Sequence, residues 1–252
     1  MPTTPTPETA SDRCTDIPVL VLNGPPGAGK STAMRALRRQ FPSLTTFGVR
    51  VFFERQAEEG TSLGLKAKEA TVHNRWYPDD IIVEGLISWL DENVSSATYI
   101  VLEGSFPHNR ELALALERAL GSRGLRVHRM VYLDVPDAVC TERVTNREVC
   151  VNCETSVADA IPVPGSACTL CGRQLVRRPD DNLQNFRERL ARHRESAVEL
   201  LAHYESLGVA VRIDGTAPPA QVAAALEAAA PAARAERDDL ADQLGRTVQA
   251  GR

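Results

Sequence analysis

Apolar residues along this chain gather into short unbroken runs separated by longer stretches with helical spacing. Val19-Leu20-Val21-Leu22, Tyr99-Ile100-Val101-Leu102 and the segment from Val127 to Leu133 are the strongest runs. Apolar residues on both faces of a pleat predict strands buried from both sides. The predicted strands are Ile17–Leu22, Tyr99–Leu102, Val127–Leu133 and a short Val209–Ile213. Between and after them the apolar spacing predicts helices over Thr32–Gln40, which Pro42 closes, and from Pro78 through Leu90, with Asp79 and Asp80 in its first turn. Further helices are predicted over Glu111–Leu120, from Pro136-Asp137 to Arg143–Arg147, over Leu183–Leu207 and over Pro218–Ala229. Strand and helix alternate, so the fold class is α/β: a three-layer arrangement around a parallel sheet.

Two segments interrupt the alternation. Phe47 to Trp76 shows no strong strand and reads as short helices, with Phe52, Phe53 and Ala57 on one face and Leu63, Leu65 and Ala67 on another. Cys150 to Cys171 is rich in loop formers, among them Pro162, Pro164 and Gly165. The expected organisation is a mobile tail over 1–16, core over 17–45, 77–146 and 182–230, inserts over 46–76 and 147–181, and a C-terminal tail over 231–252. The Ala-, Arg- and Asp-rich C-terminal tail places Leu240, Leu244 and Val248 at helical spacing. A surface helix, a partner contact and a frayed end are its open readings.

Composition narrows the partners. With 252 residues, 43% apolar and 25% charged, the chain can bury one substantial core. A net charge of -4 and a pI near 5.8 give no basic footprint for a nucleic-acid polymer. No apolar run approaches the roughly 18 residues that a membrane span needs, and a cytoplasmic monomer is expected.

Chemistry begins at Gly24-Pro25-Pro26-Gly27-Ala28-Gly29-Lys30-Ser31, between the first predicted strand and its helix. Glycines in this context let backbone N–H groups converge on a polyphosphate at the helix start. Lys30 can then reach the outer phosphates, and the Ser31 hydroxyl can hold Mg2+. Glu103 and Asp134, both at predicted strand ends, could reach water on that Mg2+; capping the next helix is an equal reading for Asp134.

Cys150-x-x-Cys153, fourteen residues and then Cys168-x-x-Cys171 is a tetrathiolate spacing for Zn2+. With no open coordination position the metal would be structural, supporting an insert too short to build a core. Cys14 and Cys140 stand apart, as a tail thiol and a buried small side chain. Arg143 and Arg147 precede the insert and Arg177, Arg178 and Arg189 follow it, and guanidinium groups suit a moving phosphoryl group. Asp180 and Asp181 beside Arg178 can orient these arginines when the insert is open.

In order along the chain, the phosphate loop, Gly60-Thr61-Ser62-Leu63-Gly64-Leu65-Lys66-Ala67-Lys68, Tyr77-Pro78-Asp79-Asp80, Phe106-Pro107 and Tyr132-Leu133-Asp134-Val135-Pro136-Asp137 closely resemble the adenylate kinase family of nucleoside monophosphate kinases. Arg143-x-x-x-Arg147, the four cysteines, Arg178-x-Asp180-Asp181 and Asp214-Gly215-Thr216 extend the resemblance to the zinc-lid members and carry it from about Ile17 to Ala229. It implies a phosphate-loop kinase core, a helical monophosphate-binding insert and a zinc-binding lid. It also implies ATP on Gly24, Gly27, Ala28, Gly29, Lys30, Ser31 and Thr32, its adenine against Arg143, with Gly215 and Thr216 completing the site. Lys30, Arg147, Arg178 and Arg189 would gather on the phosphates, and the γ-phosphoryl group would pass in line to a monophosphate. Positioning and charge stabilisation supply most of such a rate, and lid closure limits wasteful hydrolysis.

The acceptor half departs from the family pattern. Spacing from Gly64 places Glu54 where the family has an arginine, with Arg50 and Arg55 as substitutes. In Glu103-Gly104-Ser105-Phe106-Pro107-His108 an apparent one-residue insertion brings His108, or after rearrangement Arg110, to a second arginine position, and Leu112 falls near a glutamine that reads adenine. The acceptor is therefore expected to be AMP or a related phosphorylated compound. Kinases of a specialised non-nucleotide metabolite and nucleotide-binding modules without catalysis are the competing functions.

Overall fold

A computed structural model describes residues 17–73, 77–145, 147–148, 150, 167–168, 171–176 and 182–231. The N-terminal segment, Cys153, Arg177, Arg178, Asp180, Asp181 and the tail after Pro231 lie outside the described residues.

The apolar runs form β1 (Val19–Asn23), β3 (Ile100–Glu103) and β4 (Arg129–Asp134), and Ala210–Asp214 forms β5. One strand was not expected: Thr45–Gly48 is β2, correcting the reading of Phe47–Trp76 as helical throughout. Only Phe47 of these four residues is buried, because β2 lies at the sheet edge and is defined by its ladder to β3, Thr45↔Ile100 through Gly48↔Glu103. Among the described residues the five strands are parallel in the order β2-β3-β1-β4-β5.

Alternate β1 residues feed opposite layers, as the two-residue pleat requires. Val19 and Val21 join a core with Phe47, Trp89, Leu102 and Leu116, while Leu20 and Leu22 join one with Met34, Leu37, Val131 and Leu226. The helices are α1 (Lys30–Gln40), α2 (Val49–Glu58), α3 (Ser62–His73), α4 (Asp79–Asn93), α5 (Arg110–Gly121), α6 (Asp137–Thr145), α7 (Leu183–Ser206) and α8 (Pro219–Ala229). The α2 and α3 helices cross so closely that a Cβ on Gly64 would stand 2.2 Å from the Gln56 carbonyl carbon. Because β1 has β3 on one side and β4 on the other, the chain reverses its winding there. The crevice beyond the strand carboxyl ends is where such sheets bind ligands.

Candidate active site

β1 delivers the glycine-rich loop to that crevice, and Lys30 opens α1 directly after it. Gly29 caps α1 at φ 96°, and no acidic residue occupies the first turn, so no carboxylate competes there for an incoming anion. Gly24 needs the absence of a side chain: at φ 146° a Cβ would lie 2.8 Å from the Leu133 carbonyl oxygen. Lys30 Nζ donates to the carbonyls of Gly24 at 2.7 Å and Pro25 at 2.9 Å. Burial pushes its pKa down to about 7; Cys140 opposes this, while the positive charges of Arg147 and Arg189 add to it. Lys30, Arg147 and Arg189 thus share one electrostatic neighbourhood. Ser31 is exposed and Thr32 half-buried beside it.

Further contacts tie the end of β5 to the glycine-rich loop. Arg143 Nη2 donates to the Gly215 carbonyl at 2.9 Å and Nη1 to that of Ala28 at 3.4 Å, joining the β5 end to the phosphate loop. Asp214 Oδ1 accepts from Thr216 N at 2.8 Å and Oγ1 at 2.6 Å, which holds its carboxyl below the usual range, and Gly215 N donates to the Asp134 carbonyl at 2.9 Å. The two predicted acids stand differently. The Asp134 side chain is exposed, 4.0 Å from Arg194, whereas Glu103 lies toward β2, 3.4 Å from Arg38, with its pKa raised by burial.

The acceptor-side candidates divide into separate places. Arg50 Nη1 pairs with Glu54 at 3.1 Å, and both charges act on the half-buried Tyr77 hydroxyl. Arg55 instead sits 3.8 Å from both Glu59 and Glu92 and over the Phe52 ring. His108 Nε2 is 3.4 Å from Asp79, and burial lowers its pKa against the opposing Asp79 charge, helped by Arg192. Gly104 is exposed at φ 81°, and Arg110 is exposed at the start of α5. Leu112 is 1% exposed within the core, so its side chain lines no open cleft.

In the second insert, the thiols of Cys150, Cys168 and Cys171 lie within 4.8 Å of one another, with 3.4 Å between Cys150 and Cys171. Zinc–sulfur bonds of about 2.3 Å in a tetrahedron separate sulfurs by about 3.8 Å, so these donors fit that ion. A turn supports them: Cys168 N donates to the Arg173 carbonyl at 2.7 Å, Gly172 N to that of Cys168 at 2.8 Å, and Leu175 packs below.

A family profile described as Adenylate kinase matches residues 22–209. The chain belongs to the adenylate kinase family. It is 34% identical over 214 residues to an adenylate kinase of Rhizorhabdus wittichii, covering 83% of this chain and 97% of that protein. The same identity holds over 213 residues with one of Novosphingobium aromaticivorans, with the same two coverages. An adenylate kinase of Clostridium tetani is 30% identical over 201 residues, 78% of this chain and 91% of its own length. The protein is accordingly an enzyme of the nucleoside monophosphate kinase type, performing ATP-dependent phosphoryl transfer to a nucleoside monophosphate. Among the described residues no helix is long and apolar enough to cross a membrane.

Within this adenylate kinase fold, several residues near the phosphate loop carried no sequence motif. His193 is 7% exposed and stacks on Tyr132, whose hydroxyl lies 3.2 Å from its Nε2. Burial pushes its pKa down to about 3, with Lys30, Arg194 and His108 adding to the shift, so it stays neutral at physiological pH. Arg194 ties α7 to the start of α6 by donating to Asp137 at 2.8 Å and to the Val135 carbonyl. Asn23, the lone polar residue ending an apolar strand, is completely buried. Its polarity was the available signal, since a buried amide needs partners that a sequence does not locate.

Proposed function

We propose that this enzyme transfers the γ-phosphoryl group of ATP to a nucleoside monophosphate whose base is selected by shape more than by a side-chain amide. The observation that carries the reading is the position of Lys30 beneath the Gly24 carbonyl at the start of α1, with Arg147 and Arg189 within electrostatic reach. The phosphates of ATP displace the carbonyls from Lys30, and the ammonium follows the charge. Arg143 and Thr216 hold the walls of the donor site, while Arg147, Arg178 and Arg189 surround the migrating group. An acceptor oxygen placed in line needs no protein nucleophile, and exclusion of water protects the transfer.

Mg2+ suits the exposed oxygen donors Ser31 and Asp134; when bound it neutralises phosphate charge. Glu103 fits less well because Arg38 holds its carboxylate toward β2. Zn2+ suits Cys150, Cys168 and Cys171, with Cys153 as the fourth ligand, and serves there to stiffen the lid over 147–181.

On the acceptor side, Arg50, Tyr77, His108 and Arg110 are the groups for the monophosphate, with Glu54 orienting Arg50. Leu112 offers no amide and no exposed surface, so adenine loses that hydrogen-bonding reader. Pockets without such readers discriminate weakly, by about 10–200-fold for a small apolar difference. Incubating the enzyme with Mg-ATP and a panel of nucleoside monophosphates, and following ADP, tests the reading. Turnover spread over several bases is expected, whereas strong and exclusive use of AMP contradicts it.

A further inference from the structure

Three hydrogen bonds meet on the backbone of Gly24, and a fourth links its partner Asn23 to the loop before His108. Gly24 N donates to Asn23 Oδ1 at 2.7 Å, and Asn23 Nδ2 donates to the Pro107 carbonyl at 2.6 Å. On its other side, the Gly24 carbonyl accepts from Lys30 Nζ at 2.7 Å and from Ser105 Oγ at 3.2 Å. Asn23 is completely buried with both ends of its amide engaged, and Ser105 is held at φ 67°, a left-handed conformation that residues with a side chain rarely adopt. The fold keeps that conformation, and the hydroxyl it carries points at the phosphate loop. Strain retained at such a position is a reason to look for a role.

Lys30 already directs two of its three N–H donors to the Gly24 and Pro25 carbonyls, so engaging several phosphate oxygens draws it away from Gly24. When phosphates enter, the ammonium turns to them and Ser105 remains as the donor to that carbonyl. Without Ser105, the part-buried oxygen would lose its remaining partner, which opposes the movement of Lys30. Asn23 holds the N–H of the same residue and carries its position into the loop that precedes His108.

We propose that Asn23 and Ser105 are positioning residues that lock the loop of residues 103–108 to the phosphate loop through the backbone N–H and C=O of Gly24. The lock presents donor and acceptor in one frame, and it rests on the assignment of residues 103–108 to the acceptor side. In-line transfer is sensitive to such registration, because small misplacements of reacting atoms lower rates strongly.

The test compares Ser105→Gly, Asn23→Ala and the double variant, by affinity for a non-hydrolysable ATP analogue with Mg2+ and by kcat with the best-accepted monophosphate. Ser105→Gly relieves the left-handed strain while removing the hydroxyl, so its thermal midpoint should not fall. Its analogue affinity should nevertheless weaken by about 5–30-fold, the range for one lost buried interaction. Asn23→Ala should weaken affinity and lower kcat, and the double variant should be little worse than Asn23→Ala because both act on Gly24. Ser105→Gly affinity within about twofold of the native enzyme, where a lost hydrogen bond of this kind would be visible, overturns the proposal. Multiplying effects in the double variant also overturn it. Should Asn23→Ala not fold, Ser105→Gly decides alone. The binding measurement needs no acceptor, so failure of every monophosphate would refute the transfer reading while leaving the lock decided.

Discussion

Raising the pH perturbs the glycine-rich loop at Lys30. In the empty loop burial holds the Lys30 pKa at about 7, with Cys140 opposing the shift and Arg147 and Arg189 reinforcing it. Phosphates against the ammonium return it toward the ordinary lysine value of about 10.4. Binding therefore takes up a proton between those two values. At pH 8 only about a tenth of the empty enzyme carries the charge, so uptake approaches 0.9 proton, and affinity falls about tenfold, or about 1.4 kcal/mol, from pH 8 to pH 9. The unliganded fold responds in the opposite direction. Its native state binds fewer protons than the unfolded chain above pH 7, so stability rises with pH until free lysine also titrates. Calorimetric titration of a non-hydrolysable ATP analogue with Mg2+, in buffers of different ionisation enthalpy, reads both affinity and proton uptake. Lys30→Arg, which stays charged, supplies the control and should show neither effect. Flat affinity from pH 7 to 9 with no proton uptake in the native enzyme would refute the picture of a neutralised Lys30 resting on Gly24 and Pro25.

Cys168→Ser removes one of three thiols lying within 4.8 Å of one another. It should abolish bound zinc measured by elemental mass spectrometry and lower kcat, while ATP-analogue affinity changes little; a metal-free native protein with unchanged stability would contradict the lid assignment. Leu112→Gln tests whether an amide can be restored to the acceptor side. Because Leu112 is 1% exposed in the core, the buried amide should cost about 2 kcal/mol or more in urea unfolding and bring no new preference for AMP.

Strands and helices of the core were legible because each buries an apolar pattern of its own. Val19–Leu22 needed no partner to be read, nor did the acidic first turn of α4 at Asp79 and Asp80. β2 was not legible, since Thr45, Thr46 and Gly48 become strand only through the ladder to β3. The glycine-rich turn before α1 was equally plain from spacing, because its glycines, Lys30 and Ser31 are contiguous. Its supports come from distant segments: Pro107 lies 84 residues beyond Asn23, and Gly215 lies 72 beyond Arg143. Acceptor candidates were nominated together, yet folding separates Arg55 beside Glu92 from Arg50 beside Glu54 and Tyr77 and packs Leu112 inside. Helix phase decides those destinations, and a spacing count does not resolve it.

The most direct measurement is ADP formation by the purified enzyme with Mg-ATP across AMP, GMP, CMP, UMP and dAMP at saturating concentrations. Acceptor-dependent turnover with more than one base is expected. Absence of turnover with every monophosphate would contradict phosphoryl transfer to this class, and activity confined to AMP would contradict an acceptor site that selects by shape.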